Sequence, residues 1–309
     1  MSNAARKIID DVYPTRCGTQ DEWLEREDPV VWGQWSPEAP LTRAQIDSFE
    51  RQGFLVLRNL FSPAEIAALR EESFRLRSGE SDLDPEAVIT EPGSGDIRTV
   101  FQLELQSKVF NRLASDRRLA GVARFLLDDE VYIHQSRLNY KPGFTGKEFY
   151  WHSDFETWHA EDGMPRMRAL SASVLLTDND ALNGPLMLIP RSQNMFISCA
   201  GETPEDNYKS SLKAQKVGVP SDESLTRLAQ LHGIEYAAGD AGTVILFDCN
   251  VMHGSNGNIT PFPRSNAFFV FNAWSNRPEA PYAAQKPRPE FLGARSTPAS
   301  ITVEHGPFA

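Results

Sequence analysis

The chain has 309 residues, of which 40% are hydrophobic and 24% are charged, the mix of a soluble globular protein with a sizeable core. Its 31 Lys and Arg against 42 Asp and Glu give a formal net charge of −11, which argues against binding to nucleic-acid phosphates or an anionic membrane surface. No run of about 18 apolar residues could span a bilayer, and residues 1–13 lack a secretory apolar segment, so we expect a cytoplasmic protein without nucleic-acid or membrane partners.

Cysteine usage agrees with that location. The chain has three cysteines, Cys17, Cys199 and Cys249, and they lie far apart. Their number and spacing suit neither a disulfide framework nor a CxxC zinc site. We therefore expect small, partly buried side chains.

The first predicted elements are an N-terminal arm and a short capped helix. Residues 1–40 are rich in Pro, Trp and charge without a clear period, which favours an arm packed over a core. Thr42 with Gln45 forms a capping box, and Gly53 suits the position after a helix end. The apolar run Phe54–Leu57 then predicts a strand.

A second helix, a loop and a further helical stretch are predicted next. Ser62–Glu65 combines an N-cap, a first-turn proline and a glutamate that closes a capping box, and Gly79 suits the helix end. Residues 80–97 are acidic and contain Pro and Gly, which favours a surface loop. Residues 108–127 suggest another helix, so we predict a mostly helical flank over 41–127.

Beyond residue 127 the pattern changes to short β-type runs separated by Gly, Pro and Asn. The predicted strands are Val131–His134, Arg137–Tyr140, Ala169–Leu176, Pro185–Ile189, Thr243–Phe247 and Asn266–Asn272. Residues 203–231 interrupt the series with a predicted helical insertion, a candidate lid. Helices followed by many short strands predict an α+β chain, mainly β, with a sandwich-like or barrel-like core over 128–295. We expect 1–309 to form a single domain, in which no motif is found after Arg295.

Two histidines and one carboxylate have the spacing of a metal site. His152 and Asp154 follow the aromatic run Phe149–Trp151, and side chains i and i+2 of an extended strand point to the same side. His253 follows the apolar strand Thr243–Phe247 and can supply a third ligand. Two His and one carboxylate form the facial triad of non-haem Fe(II) oxygenases, which leaves positions open for a chelating cosubstrate and O₂. Iron suits the site better than Zn²⁺ because O₂ activation needs a redox metal.

Two neighbouring features allow more than one interpretation. His159 and Glu161 have the same H-x-carboxylate shape, but their charged surroundings favour a solvated pair or one that supports the site from outside. Arg264 lies at the start of a predicted strand after His253. A buried Arg there could bind the far carboxylate of a dicarboxylic cosubstrate such as 2-oxoglutarate through two parallel hydrogen bonds. The alternative for Arg264 is an exposed charge at a strand end.

The segment Phe149–Pro165, which contains the H-x-D pair, resembles the signature of the ectoine hydroxylases, a group within the phytanoyl-CoA hydroxylase-like superfamily. The similarity covers nearly the whole chain and includes His134–Arg137, Asn139–Phe144, Asn183–Pro190, Gly201–Asp206, His253–Asn256 and Pro261–Asn266. One departure is Pro190–Gln193, which reads PRSQ where the superfamily usually has Pro-Gly-Ser-His. None of the predicted ligands lies in that run.

This resemblance implies a fold and a reaction. The fold would be a double-stranded β-helix, a jelly-roll (cupin-like) core with flanking helices. Fe(II) would be held by His152, Asp154 and His253. The reaction would hydroxylate ectoine, a compatible solute of osmotic stress, to 5-hydroxyectoine, with 2-oxoglutarate and O₂ consumed and succinate and CO₂ released. The resemblance also implies a homodimer.

Residues for the cosubstrate and the substrate follow from the same resemblance. For 2-oxoglutarate they are Asn139, Lys141, Phe149, Ser255 and Arg264, and for ectoine they are Gln135, Thr157, Trp158 and Arg288. Ectoine is a small cyclic zwitterion. An aromatic face from Trp158, an amide from Gln135 and a cation from Arg288 suit its ring cation, its N–H groups and its carboxylate.

Two other functions stay open at this point. One is hydroxylation of another small zwitterion, such as proline, by an enzyme of the same superfamily. The other is a non-catalytic metal-binding or solute-binding jelly-roll protein. A halogenase is disfavoured because Asp154 fills the ligand position that a halide would need.

Overall fold

The computed structural model describes residues 11–79, 82–90, 95, 97–212, 215–296 and 298–306. Most of the N-terminal segment on which the leader prediction depends, residues 1–10, lies outside the described residues. Within the described ranges, no helix has both the length and the apolar character that crossing a bilayer requires.

Strands dominate the second half of the chain. The strands are β1 (Glu22–Glu25), β2 (Phe54–Leu57), β3 (Val88–Thr90), β4 (Ile97–Phe101), β5 (Val131–Lys141), β6 (Phe149–His152), β7 (Ala169–Leu175), β8 (Leu186–Leu188), β9 (Met195–Ser198), β10 (Glu235–Ala237), β11 (Val244–Asp248), β12 (His253–Ser255) and β13 (Arg264–Ala273). The helices are α1 (Arg43–Gln52), α2 (Pro63–Arg77), α3 (Leu103–Gln106), α4 (Lys108–Ala114), α5 (Val122–Leu127), α6 (Asp154–Thr157), α7 (Tyr208–Ser211) and α8 (Asp222–His232). Helix α6 continues directly into a π-helical turn, Trp158–Asp162.

Two antiparallel sheets enclose the centre of the molecule. The larger has the strand order β2-β11-β7-β13-β5-β4-β3, and the smaller has the order β10-β8-β12-β6. Side chains from both sheets line one cavity, which therefore lies between them. A separate two-stranded sheet pairs β1 with β9. These paired sheets form the jelly-roll core of the predicted α+β, mainly β, architecture.

Alternation along β13 separates two hydrophobic layers. Phe268 packs between the sheets with Phe247 and Leu188. Phe269, the next residue, points to the opposite face and packs in the cluster that includes Leu69 of α2 and Phe110 of α4. Neighbouring residues of a strand face opposite sides, so the helices cover the outer face of the large sheet and leave its inner face to the cavity.

The predicted helix starts are confirmed. The Thr42 and Ser62 side chains accept from the backbone N–H groups three residues later, and both capping boxes are complete. Gly53 follows α1 with a φ of 82°, a left-handed conformation that glycine adopts without strain. Helix α2 ends slightly before the predicted Gly79, with Ser78 as its C-cap.

Several predicted boundaries are wrong, because strand pairing overrides local sequence signals. The two predicted strands within 131–140 are one strand, β5, which pairs along its whole length with β13. The predicted surface loop over 80–97 contains β3 and the start of β4, which extend the large sheet beyond β5. His253 begins β12, a short strand that is absent from the predicted strands.

The insertion and the arm both contact the rest of the chain. The predicted helical insertion contains α7 and most of α8. Within the arm, the Arg26 guanidinium forms a buried ion pair with Asp248, at the end of β11, at 2.7 Å. The pairing of β1 with β9 joins the arm to the core at a second point.

Candidate active site

The inner face of the large sheet forms one wall of the cavity, which has a volume of about 370 Å³. Strands β5 and β13 pair in register, and alternate residues of each face the cavity. Every second cross-strand pair contributes to this wall: Lys141 with Arg264, Asn139 with Asn266, and Arg137 with Phe268. The wall is therefore cationic at one end, amide-lined in the middle and cationic over an aromatic ring at the other.

The predicted metal ligands converge on the opposite side of the cavity. His152 of β6 and His253 of β12 are directly paired across the small sheet, and their ring centroids lie 4.3 Å apart. Asp154 begins α6 two residues after His152. Its Oδ1 lies 3.7 Å from His152 Nε2, and its Oδ2 lies 3.9 Å from His253 Nε2. One ligand atom from each residue falls within 4.8 Å of the other two, a spacing that a single metal ion can bridge.

Hydrogen bonds fix both imidazole rings for metal binding. His152 Nδ1 lies 2.7 Å from the Tyr150 carbonyl, and His253 Nδ1 lies 2.9 Å from the Val251 carbonyl. A carbonyl only accepts, so each Nδ1 carries the proton and each Nε2 presents its lone pair. Burial lowers the pKa of His152 to about 4, and the neighbouring His253 adds to this, which keeps the ring neutral.

The donor set fits Fe(II). Two imidazoles and one carboxylate on one face match the ligands of mononuclear iron oxygenases. Asp154 receives a further hydrogen bond from Ser171 Oγ at 3.3 Å, and Ser153 Oγ donates to Asn250 Oδ1 at 2.9 Å. Such outer contacts hold the ligands in orientation.

A pair of cations lies beside the triad. Lys141 and Arg264 are both buried, although like charges on directly opposed strand residues repel. Lys141 Nζ donates to Ser255 Oγ at 3.0 Å and to the Asn256 carbonyl at 2.6 Å. Burial lowers the pKa of Lys141 to about 7, with a further contribution from Arg264. An arrangement of this kind is stabilised by an incoming anion.

Arg264 is buried, which excludes the exposed strand-end alternative. Its guanidinium donates to the Gly184 carbonyl. Burial lowers its pKa to about 10. Of the described residues, none offers Arg264 a carboxylate within ion-pairing distance, so this cation is available for a carboxylate of the cosubstrate.

The remaining predicted residues line the same cavity. Phe149 is 46% exposed at its mouth, with Lys141 Nζ 5.7 Å from the ring centroid. Thr157 and Trp158 follow Asp154 on the helical segment, and Thr157 Oγ1 accepts from Gln215 of the insertion at 3.2 Å. All twelve predicted site residues line this cavity, and their individual roles stay predictions.

The side chains of Gln135 and Arg288 already have hydrogen-bond partners within the protein, which the sequence did not indicate. Gln135 Nε2 donates to the Leu292 carbonyl at 2.7 Å, and its Oε1 accepts from Arg137. Arg288 binds Asp162 through Nε at 2.8 Å, and Asp162 also contacts His134 Nε2 at 3.0 Å. Both side chains line the cavity while these internal partners hold them in place.

Arg137 is the principal cavity residue that the sequence analysis missed. It lies between Gln135 and Asn139 at the two-residue spacing of one strand face, a signal that could have identified it. Its guanidinium carbon lies 4.2 Å from the centroid of Phe268. Burial lowers its pKa, and the charge of Asp154 opposes that shift.

The interpretation of His159 as a solvated residue is wrong. The ring is fully buried, with Nδ1 2.8 Å from the Met164 carbonyl and Nε2 3.0 Å from Asp11 Oδ1. It stacks on Tyr282 at a centroid distance of 4.0 Å. The charged neighbours that suggested solvent are themselves buried, because the arm and the C-terminal segment cover this helix.

Comparisons with known proteins agree with this geometry. The family model for phytanoyl-CoA dioxygenase (PhyH) matches residues 49–266. The ectoine dioxygenase of Sphingopyxis alaskensis is 58% identical over 300 residues, which cover 97% of this chain and 98% of that protein. The ectoine dioxygenase of Streptomyces coelicolor is 49% identical over 287 residues, which cover 93% of this chain and 96% of that protein.

Solved structures show the same similarity. Crystal structures of EctD from S. alaskensis, one with bound Fe and one with 2-oxoglutarate and 5-hydroxyectoine, superpose with a TM-score of 0.89 at 54% sequence identity. Each match covers 97% of this chain and 100% of that chain. The 2-oxoglutarate-dependent epimerase SnoN, at 18% identity and a TM-score of 0.55, shares the fold. The predicted jelly-roll fold is thereby confirmed.

Proposed function

Since this chain belongs to the phytanoyl-CoA dioxygenase family, we propose that it is an Fe(II)- and 2-oxoglutarate-dependent dioxygenase that hydroxylates ectoine to 5-hydroxyectoine. The reaction consumes O₂ and 2-oxoglutarate and releases succinate and CO₂. Of the four electrons that O₂ takes up, two come from decarboxylation of 2-oxoglutarate and two from the C–H bond. The observation that carries the proposal is the complete triad beside two buried cations without carboxylate partners among the described residues.

His152, Asp154 and His253 hold the iron. When bound, iron supplies the activation of O₂ and the oxidation of the substrate C–H bond. The hydrogen bonds of both imidazoles to the Tyr150 and Val251 carbonyls orient the rings so that each Nε2 faces the metal position. The similarity to EctD, which has been crystallised with Fe, supports this metal.

Lys141 and Arg264 bind the far carboxylate of 2-oxoglutarate. Their backbones pair directly across β5 and β13 at one end of the cavity. Ser255, two residues after His253 on β12, accepts a hydrogen bond from the lysine. Asn139, paired with Asn266, contacts the chain of the cosubstrate in the middle of the wall. Phe149 closes this end toward solvent, which limits access of water to the metal.

Ectoine occupies the other end of the cavity. Trp158 offers an aromatic face, and its ring packs edge-on against His134 at a centroid distance of 5.5 Å. Gln135, Thr157 and Arg288 surround this end. Arg137, which no described carboxylate pairs directly, supplies a cation for the substrate carboxylate. Arg288 donates from Nε and one terminal nitrogen to Asp162. Its main role is therefore to hold the cavity wall in place, and binding of the substrate carboxylate is secondary.

The test is a substrate competition. Purified protein is loaded with Fe(II), mixed with 2-oxoglutarate and equal amounts of ectoine and proline, and exposed to air. Mass spectrometry should find ectoine heavier by one oxygen, with succinate formed in equal amount and proline unchanged. Hydroxyproline would favour another small zwitterion as substrate. Iron-loaded protein that forms neither product nor succinate would favour a solute-binding protein.

We also infer the setting of the enzyme. The acidic composition supports a cytoplasmic location, where ectoine as a compatible solute accumulates under osmotic stress. The family resemblance supports a homodimer, which sedimentation of the purified protein would test. The cavity draws on residues from 89 to 292, which supports a single catalytic domain over 1–309.

A further inference from the structure

One face of the helix that carries the iron ligand Asp154 lines the cavity along its length. Asp154, Thr157, Trp158 and Glu161 follow one another at positions i, i+3, i+4 and i+7 of the continuous segment formed by α6 and the π-helical turn. All four line the cavity. This face therefore presents, in order, a metal ligand, a hydroxyl, an aromatic ring and a buried carboxylate. The sequence analysis assigned that carboxylate no substrate role.

Glu161 is held by a residue of the N-terminal arm. Arg16 donates from one terminal nitrogen to Glu161 Oε1 at 2.8 Å. Its other donors bind both oxygens of Glu156 at 2.9 and 2.8 Å. Asn207 of the insertion also donates to Glu161 Oε1, at 2.8 Å. The three charged side chains are all buried, at 5%, 1% and 3% exposure for Arg16, Glu156 and Glu161.

The charges in this cluster do not cancel. Among the described residues, Arg16 is the one cation within ion-pairing distance of Glu156 or Glu161. One guanidinium faces two carboxylates, so the cluster presents a net negative charge to the cavity through Glu161. Arg16 adopts a φ of 57°, a conformation that few residues other than Gly and Asn adopt. The ion pairs outweigh that strain, which indicates that they define the local structure.

Other carboxylates of the cavity are already engaged. Among the residues that the structure describes, the carboxylates that line it are Glu148, Asp154 and Glu161. Asp154 is a metal ligand, and Glu148 lies beside Phe149 at the mouth, where its charge acts on Lys141. Glu161 is thus the remaining carboxylate at the end of the cavity that Trp158 lines.

We propose that Glu161 binds the positively charged ring of the substrate, and that Arg16 is the positioning residue that holds Glu161 in place. The inference rests on the proposed function, because ectoine carries an amidinium-like cation and a carboxylate on one small ring. Glu161 takes the cation and Arg137 takes the carboxylate, at two ends of the space beside Trp158. The cavity thereby selects a zwitterion over a neutral ring with the same carboxylate.

The first test removes the charge of Glu161 with little change in shape. E161Q should raise the KM for ectoine by at least 30-fold while kcat falls less than fivefold. Affinity for 2-oxoglutarate, followed anaerobically through the visible band of the iron complex, should stay within twofold of wild type. A KM for ectoine within twofold of wild type in E161Q would overturn the proposal.

A matched cluster elsewhere in the chain provides the control. Arg118 bridges Glu65 and Asp116 at 2.6 and 2.8 Å, as Arg16 bridges two carboxylates, but it lies outside the cavity. E65Q and R118A should lower the melting temperature and leave the KM for ectoine unchanged. R16A should raise that KM at least tenfold, and R16K should recover part of the loss. If R16A lowers only the melting temperature, as R118A does, Arg16 has no positioning role.

A further test uses the wild-type protein and so does not depend on whether a variant folds. The probe is 6-oxopiperidine-2-carboxylate, a neutral six-membered lactam that carries the carboxylate without the ring cation. Its inhibition constant should be at least 30-fold higher than the dissociation constant of ectoine. Equal affinity of the lactam and ectoine would overturn the role of Glu161. Wild type that makes no hydroxylated ectoine would instead refute the proposed function, a result distinct from a failure of E161Q to change KM.

Discussion

Arg264→Met should stabilise the protein without ligands while weakening its binding of 2-oxoglutarate. Arg264 is buried at 8% exposure. Its described hydrogen bond goes to the Gly184 carbonyl and not to a carboxylate. A charge buried in this way costs stability until an anion arrives. Methionine fills similar space with a flexible apolar chain and removes that cost.

The gain in stability and the loss of 2-oxoglutarate affinity can both be estimated from the structure. Burial lowers the pKa of Arg264 to about 10, a drop that corresponds to about 3 kcal/mol against the charged form. Recovering that energy would raise the melting temperature by roughly 3–5 °C for a chain of this size. Losing one partner of a buried, hydrogen-bonded charge pair costs about 2–5 kcal/mol. Because Lys141 remains, we expect the lower half of that range, a loss of roughly 30- to 300-fold in 2-oxoglutarate affinity.

Two assays separate these effects. Calorimetry of the metal-free protein gives the melting temperature, and anaerobic titration of the Fe(II) protein with 2-oxoglutarate gives the affinity. R118M is the control, because Arg118 is paired with Glu65 and Asp116 and its removal should lower the melting temperature. A less stable Arg264→Met protein with unchanged 2-oxoglutarate affinity would refute the reasoning.

Three further predictions concern the metal, the pH dependence and the substrate pocket. Asp154→Ala removes one of three ligands and should cut bound iron more than tenfold, measured by metal analysis, and full iron content with full activity would exclude the triad. Because the pKa of Lys141 is lowered to about 7, the empty site loses this charge as pH rises above 7, so 2-oxoglutarate affinity should fall between pH 7 and 9. Lys141→Met should flatten that profile, and an equally steep profile in the variant would assign the dependence elsewhere. Trp158→Leu removes the aromatic face and should raise the KM for ectoine roughly five- to thirtyfold, about 1–2 kcal/mol, whereas an unchanged KM would remove Trp158 from the substrate site.

The convergence of the predicted metal ligands was predictable from sequence because its signals are local. The spacing of His152 and Asp154 follows from the two-residue period of a strand. His253 comes after an apolar strand, and Arg264 begins the next one. His152, His253 and Arg264 each lie on a strand of their own, and Asp154 begins the helix directly after β6. Pairing of those strands therefore brings the four residues near one another.

The substrate end was harder to predict because its contacts join distant segments. Arg16 of the arm forms ion pairs with Glu156 and Glu161, which lie 140 and 145 residues later in the chain. No periodic pattern in the sequence predicts a contact over that separation. The internal hydrogen bonds of Gln135 and Arg288 come from the C-terminal segment and from Asp162. His159 illustrates the same limit, since charged neighbours indicated solvent although tertiary packing buries them all.

The most direct test of the central claim is a turnover experiment with ¹⁸O₂. Iron-loaded protein is mixed anaerobically with 2-oxoglutarate and ectoine, exposed to ¹⁸O₂, and both products are analysed by mass spectrometry. We predict one labelled oxygen atom in succinate and one in 5-hydroxyectoine, in equal amounts. Labelled succinate with unchanged ectoine, or no succinate from protein that retains its iron, would contradict this prediction.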